Sequence, residues 1–182
     1  MIATRTDSEA LHRTVVETPL GRFVLAASAN GLRSLVPLGA GARPSPAAEH
    51  DGGEPRHLGE AAAALLAYCE GVPSRYGGAL DLAGTEFQLR VWSRLLAIPF
   101  GAQITYGTLA ADLGLPGEAR AVGTAVAANP VAILVPCHRV VGAGGTLRGY
   151  AWGLDLKRRL LARELRLGPA FQPEGGRDTG RA

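Results

Sequence analysis

Residues 133–145, ILVPCHRVVGAGG, place Cys137 between a proline and His138, inside an apolar run that ends in glycines. A thiol attacks as its thiolate, and with an ordinary pKa of about 8.5 only a few per cent is ionised at neutral pH, so Cys137 needs a base. His138 is adjacent, but on an extended strand successive side chains point to opposite faces. A bend or a bridging water is therefore required between them. His138 in turn needs a group that fixes its tautomer and stabilises the imidazolium, and Glu164 is the candidate among the four acids of residues 87–167. A plainer reading of the same residues is a cysteine buried as a small apolar side chain in a valine-rich run. Zinc is not expected, because two cysteines 68 positions apart and four scattered histidines offer no ligand-pair spacing. The local signatures of papain-like or caspase-like hydrolases are missing, although a cysteine hydrolase turning over many substrates stays open at this point.

The rest of the chain must position that thiol. With 182 residues and 47% apolar content it can bury a core without disulfides, and only Cys69 and Cys137 are present. No uninterrupted apolar stretch reaches membrane-spanning length, and MIATRTDSEALHR lacks the layout of a secretory signal. A reduced, soluble, cytoplasmic protein without membrane contact is expected. The net charge of +3 is unevenly spread. Residues 1–86 carry 7 Arg against 10 acids, residues 87–167 carry 9 Arg and Lys157 against 4 acids, and the tail from 168 is neutral. The basic half is the half with Cys137, which points to a phosphate-bearing partner.

Alternating apolar residues in HRTVVETPLGRFVLAASANGLRSLVPL, broken at Pro19-Leu20-Gly21 and Asn30-Gly31, predict three antiparallel strands near 12–17, 21–28 and 32–37. Residues 39–56 read as a flexible loop, followed by an alanine-rich helix ending at Gly71 in which Cys69 is a small buried residue. Thr85 and Gln88 form a capping box for a helix carrying Phe87, Val91, Leu95 and Ile98 inward, stopped by Pro99 and Gly101. Thr105 starts a short helix to about Asp112; Gly114 and Pro116 break it; a second runs from about Gly117 to Ala128, closed by Asn129-Pro130. This pair has the outline of a helix-turn-helix. Its second helix carries Ala119, Ala121, Gly123, Ala125, Ala127 and Ala128, so it is nearly bare apart from Arg120. Such a helix packs tightly on another backbone or enters a narrow minor groove. The segment LDLKRRLLARELRLG predicts an amphipathic helix with Leu156, Leu160, Leu161 and Leu165 inward, cations outward and Gly168 as cap. Residues 169–182 read as a disordered tail.

The string Pro136-Cys137-His138-Arg139-Val140 resembles the acceptor signature of the O(6)-alkylguanine-DNA alkyltransferases, the methylated-DNA-protein-cysteine methyltransferases. The resemblance extends over about 85–168: TEFQLRVW, IPFG, TYGTLA, ARAVGTAVAANP, PCHRVV and GTLRGYAWGLDLKRRLL follow in the family's order. It implies an α/β (α+β) protein with a small N-terminal antiparallel sheet and helix over 1–84. A mostly helical lobe with a helix-turn-helix would follow over 85–168, then the tail. It implies stoichiometric, irreversible transfer of an alkyl group from O(6) of a flipped guanine to Cys137, without metal or cofactor, by a monomer on the minor groove of double-stranded DNA containing alkylated guanine. His138 would deprotonate Cys137 through water, Glu164 would orient His138, and Asn129 would brace the acceptor loop. Tyr106 would donate to guanine N3, and Arg120 would fill the base stack. Ala119, Ala121, Gly123, Thr124, Ala127 and Arg139 would lie against DNA. Val140, Tyr150, Ala151 and Trp152 would complete the pocket with Tyr106. The alternative from another class is a non-catalytic sensor of alkylated bases.

Overall fold

The computed structural model describes residues 11–39, 56–72 and 76–167. The expected loop over 39–56 falls outside them except at its ends, where Arg56 is already helical; the Gly168 cap and the 169–182 tail also lie outside. Strands β1 (His12–Thr18), β2 (Gly21–Ser28) and β3 (Gly31–Pro37) form an antiparallel sheet in that order. The first turn is held by Thr18, whose hydroxyl accepts from the Leu20 amide at 3.1 Å and donates to the Gly21 carbonyl at 2.7 Å. Phe23, Leu25 and Ala27 alternate along β2 and are fully buried, as the two-residue period of a half-covered sheet requires.

Helix α1 (Arg56–Glu70) covers that face with Leu58, Ala61, Leu65, Tyr68 and Cys69, spaced to share one side of a helix. The outer edge of β3 is not left open. Leu32 pairs with residues 79–81 and Leu35 with residues 130–132, through backbone bonds of 2.7 to 3.0 Å. The close approach demands glycine at 31, where φ is 153° and a Cβ would stand 2.7 Å from the Ala79 backbone. One core therefore runs from the sheet into the helical half.

That half contains α2 (Glu86–Leu96), β4 (Ile104–Thr105), α3 (Tyr106–Asp112), α4 (Ala119–Ala127), β5 (Val140–Val141) and α5 (Leu154–Leu167). The Thr85–Gln88 capping box forms in both directions, and Thr105 caps α3 by accepting from the Thr108 amide. Trp92 ties α2 to α4, its indole N–H donating to the Ala125 carbonyl at 2.8 Å. β4 and β5 form a short parallel pair that brings the start of α3 beside the chain leaving Cys137.

Cys137 lies in a turn of 3-10 helix, Cys137–Arg139, a bend of the kind that a functional pairing of Cys137 with the adjacent His138 calls for. The turn is prepared upstream, where Ile133 holds φ at 67° and the Leu134 and Cys137 amides donate to carbonyls only two residues back. One expectation for this half is corrected on α5, where the inward stripe is Lys157, Leu160, Leu161 and Glu164, whereas Leu165 is 73% exposed. Helical spacing was right, but the stripe begins and ends on two ionisable residues that an apolar count assigns to the surface. Among the described residues no helix is long and apolar enough to cross a membrane.

Candidate active site

The site is organised by a carboxylate. Glu164 is 1% exposed, and its two oxygens accept from four places in the fold. His138 Nε2 lies 2.8 Å from Oε1, the Tyr68 hydroxyl donates to Oε1 at 3.0 Å, and the Gly101 amide donates to Oε2 at 2.9 Å. Arg139 donates through Nε to Oε2 at 2.9 Å and through Nη2 to Oε1 at 3.0 Å. Gly101 reaches it from the IPFG segment because φ of 76° turns its N–H inward, a conformation that suits glycine. Burial pushes the Glu164 carboxyl up, but the hydrogen bonds from His138 and Arg139 and the charge of Arg139 outweigh it and bring its pKa down to about 2. Glu164 is therefore an anion at working pH.

His138 is fully buried. Burial pushes its pKa down, Glu164 pulls it back, and Arg139 and Lys157 reinforce the lowering, so the imidazole is neutral. A neutral ring facing an ionised carboxylate carries its proton on Nε2 and donates it to Glu164. The lone pair is then on Nδ1, which is buried without a hydrogen-bond partner among the described residues. A base held by its other nitrogen, with its basic nitrogen free, is what a neighbouring thiol requires.

Cys137 is 2% exposed. Burial drives its thiol up to about pH 11, opposed by a hydrogen bond from Asn129 and by the charge of Lys157. The resting site thus stores a thiol. Asn129 Nδ2 approaches the Val131 and Val135 carbonyls at 3.1 and 2.9 Å and Cys137 Sγ at 3.1 Å, while Oδ1 accepts from the Val131 amide. Asn129 thus ties together the backbone of residues 131 and 135 ahead of Cys137, and it also touches the sulfur itself. Tyr106 and Tyr150 flank the thiol: burial raises the pKa of both, and Cys137 adds to the effect. The Tyr106 hydroxyl donates to the Arg148 carbonyl at 3.5 Å, a long bond joining α3 to the glycine-rich loop. The buried Tyr150 hydroxyl has no partner of good geometry among the described residues, and its ring meets Trp152 edge-on at 5.2 Å. Ala151 is exposed and Trp152 half-buried beside it.

On α4, Arg120, Ala121, Thr124 and Ala127 form the exposed face, with Ala119 and Gly123 half-buried at its margin. Gly123 backs onto the Tyr106 ring, where a Cβ would stand 3.7 Å away. The slim surface therefore lies next to the acceptor pocket. Arg139 does not belong to that surface. It is buried, donates to the Ile98 carbonyl at 2.6 Å and spends the rest of its guanidinium on Glu164 and the Phe100 ring. Its place in the DNA-contacting set is corrected on that ground.

Three residues escaped the sequence reading: Tyr68, Gly101 and Lys157. Lys157 is fully buried, and its Nζ donates to the carbonyls of Val140, Arg148 and Gly149 at 2.7, 2.9 and 3.4 Å. It pins both backbone segments that frame the pocket and occupies one lone pair of the Val140 carbonyl. A signal was present, since Lys157 is the single lysine of a chain with eighteen arginines. Among the described residues no group of three or more His, Cys, Asp or Glu is arranged to hold a metal ion.

Residues 86–166 match the family model for the DNA-binding domain of 6-O-methylguanine DNA methyltransferase. The methylated-DNA-protein-cysteine methyltransferase of Mycobacterium tuberculosis is 42% identical over 88% of this chain and 96% of its own. This chain belongs to the methylated-DNA-protein-cysteine methyltransferase family. The crystal structure of the Mycobacterium tuberculosis O6-methylguanine methyltransferase superposes with a TM-score of 0.77 at 42% identity, covering 88% of this chain and 96% of that one. A crystal structure of the Mycobacterium tuberculosis OGT in complex with DNA gives a TM-score of 0.76 at 42% identity over 87% and 96%. The α+β architecture is the family's.

The Glu164 geometry sets an acid response. A carboxylate with a depressed folded pKa contributes stability that is present above its ordinary value of 4.5 and lost as pH falls toward about 2. Glu164→Gln, which leaves the Arg139 guanidinium without its counter-charge, is expected to be less stable than the parent by about 3 to 5 kcal/mol at neutral pH. That gap narrows as pH falls below 4.5. Urea midpoints measured against pH check this; a gap constant down to the acid limit contradicts it.

Proposed function

We propose that this methyltransferase repairs DNA by direct reversal, moving the alkyl group of an O(6)-alkylguanine onto its own Cys137 in a single, irreversible turnover. The observation that carries the reading is a thiol held by Asn129 next to a neutral histidine whose outer nitrogen is anchored on Glu164 and whose inner nitrogen is free. The protein acts on DNA, as a monomer of the cytoplasm. The exposed face of α4, with Arg120, Ala121, Thr124 and Ala127, enters the minor groove, where small side chains let the helix backbone approach closely.

A base inside a duplex cannot reach a buried sulfur, so the damaged nucleotide leaves the stack, at a cost of a few kcal/mol. Arg120, exposed at the start of α4, takes its place and offsets part of that cost. The extruded purine passes between Tyr106 and the 148–152 loop, displacing the long Tyr106–Arg148 bond. Ala151, Tyr150, Trp152 and the Val140 carbonyl line its resting place.

His138 takes the thiol proton through a bridging water onto Nδ1, and Glu164 stabilises the imidazolium that forms. Sulfur attacks the alkyl carbon in line; the S–C bond forms as the C–O(6) bond breaks, and the electron pair passes into the purine. Tyr106, kept protonated by its raised pKa, donates to N3 so that guanine leaves neutral. The His138 imidazolium then returns its proton through water to the Tyr106 phenolate, so that in the balance guanine has gained the proton the thiol lost and Cys137 has become a thioether. The product has no route back, since a thioether C–S bond, unlike a disulfide, is not opened by thiol exchange.

A cysteine at rest near pH 11 sharpens the role of His138. Deprotonation belongs to the transfer step, not to the resting enzyme. The sensor alternative leaves this machinery without a purpose.

Incubation with an O(6)-methylguanine duplex is expected to add one methyl group per chain, on the peptide containing Cys137, and Cys137→Ala is expected to bind the duplex without removing the methyl. An unmodified peptide at saturating duplex, or turnover beyond one equivalent, overturns the reading. Arg120→Ala is expected to slow repair of duplex by about tenfold or more while leaving reaction with the free base nearly unchanged, in line with lost support for extrusion. Equal losses on both substrates would remove Arg120 from the base stack.

A further inference from the structure

The N-terminal half of the chain meets the acceptor machinery at Tyr68. Tyr68, near the end of α1, donates its hydroxyl to Glu164 Oε1 at 3.0 Å. The same oxygen faces His138 Nε2 at 2.8 Å and accepts from Arg139 Nη2 at 3.0 Å. The Tyr68 ring also meets the His138 ring edge-on, with centroids 6.3 Å apart, and the Phe100 ring at 5.9 Å. One residue of α1 thus touches both members of the relay, by its hydroxyl and by its ring.

We propose that Tyr68 is a positioning residue for alkyl transfer: by sharing Oε1 with His138 it fixes the imidazole and limits how tightly Glu164 holds a proton on it. The sheet-and-helix lobe thereby sets the acid limit of the acceptor site. The inference rests on the transferase reading above.

The physical basis is competition for one oxygen. Each donor on a carboxylate stabilises the anion and reduces what it offers the next donor. Gly101 supplies part of this effect on Oε2 and Arg139 supplies part of it on both oxygens, while Tyr68 adds an uncharged donor on Oε1, the oxygen that His138 uses. The groups around His138 are Glu164 and Lys157 from α5, Cys137 and Arg139 from its own turn, and Tyr68 from α1, with Tyr150 close enough to act on Cys137, Tyr68 and Glu164. Arg139 and Lys157 disfavour the imidazolium and Glu164 favours it. Tyr68 stays a neutral phenol, because burial and the Glu164 charge raise its pKa far above the ordinary range. Tyr68→Phe therefore changes the sharing of Oε1 without changing any charge and keeps the ring contact.

The test uses the full-length protein. Histidine-labelled wild type and Tyr68→Phe are titrated by NMR at His138, and single-turnover methyl transfer from an O(6)-methylguanine duplex is timed over the same pH range. In Tyr68→Phe the His138 titration and the acid limb of the transfer rate are both expected to move up by about one unit, the size of one hydrogen bond to a charged group. Duplex affinity stays at the wild-type value. A role confined to packing would lower folding stability and move neither, and coincident titrations and acid limbs overturn the proposal. Should Tyr68→Phe fail to fold, fluorotyrosine at position 68 donates more strongly and must shift both readouts down; no shift overturns the proposal equally. A wild type that transfers no methyl counts against the transferase reading, and the His138 titration then decides the Tyr68 claim by itself.

Discussion

A single buried carboxylate determines whether the acceptor turn exists in working form. Glu164 is removed from water, and an isolated carboxylate there would take up a proton or unfold its surroundings. It stays ionised because Arg139, His138, Tyr68 and Gly101 all point donors at it. Those donors come from the acceptor turn, from α1 and from the loop after α2, so satisfying one charge draws three segments onto α5. Replacing such a buried pair by apolar residues often costs little, whereas removing one partner is severe. Its worth in this fold is geometric: it sets which nitrogen of His138 is free.

The same burial that organises the relay works against the thiol. Cys137 is raised to about 11, with the Asn129 hydrogen bond and the Lys157 charge moderating the rise. A permanently ionised cysteine would react with whatever electrophile reached it. In the proposed mechanism a protonated one, whose base acts when a purine occupies the pocket, confines that reactivity to a substrate able to enter. The protein can spend each molecule only once, and a quiet resting thiol suits such use. The backbone is set for it, with Ile133 at φ 67° costing about 1 to 3 kcal/mol, and with Asn129 and Lys157 clamping the chain on both sides of Cys137.

Much of the scaffold was legible in the sequence. The Asn30-Gly31 turn, the Thr85–Gln88 box and the Thr105 cap are local instructions, carried by residues a few positions apart, and each forms as its chemistry requires. Cys137, His138 and Glu164 were legible by type, and the His138–Glu164 contact joins two of them. What escaped reading depends on long-range placement. Tyr68 looked like a core aromatic because its partner lies 96 positions away. Lys157 and Arg139 looked like surface cations because periodicity cannot tell a buried cation with partners from an exposed one, and Leu165 was drawn inward for the same reason. The 3-10 turn at Cys137 follows from Asn129 holding the Val131 and Val135 carbonyls, a side-chain event that strand alternation does not register.

The central claim is that His138 rests neutral, with its proton on Nε2 toward Glu164 and a bare Nδ1. Nitrogen-15 shifts of the His138 ring in the free protein at neutral pH measure this directly. A protonated Nε2 beside an unprotonated Nδ1 is the expected pattern; an imidazolium, or a ring carrying its proton on Nδ1, would contradict it.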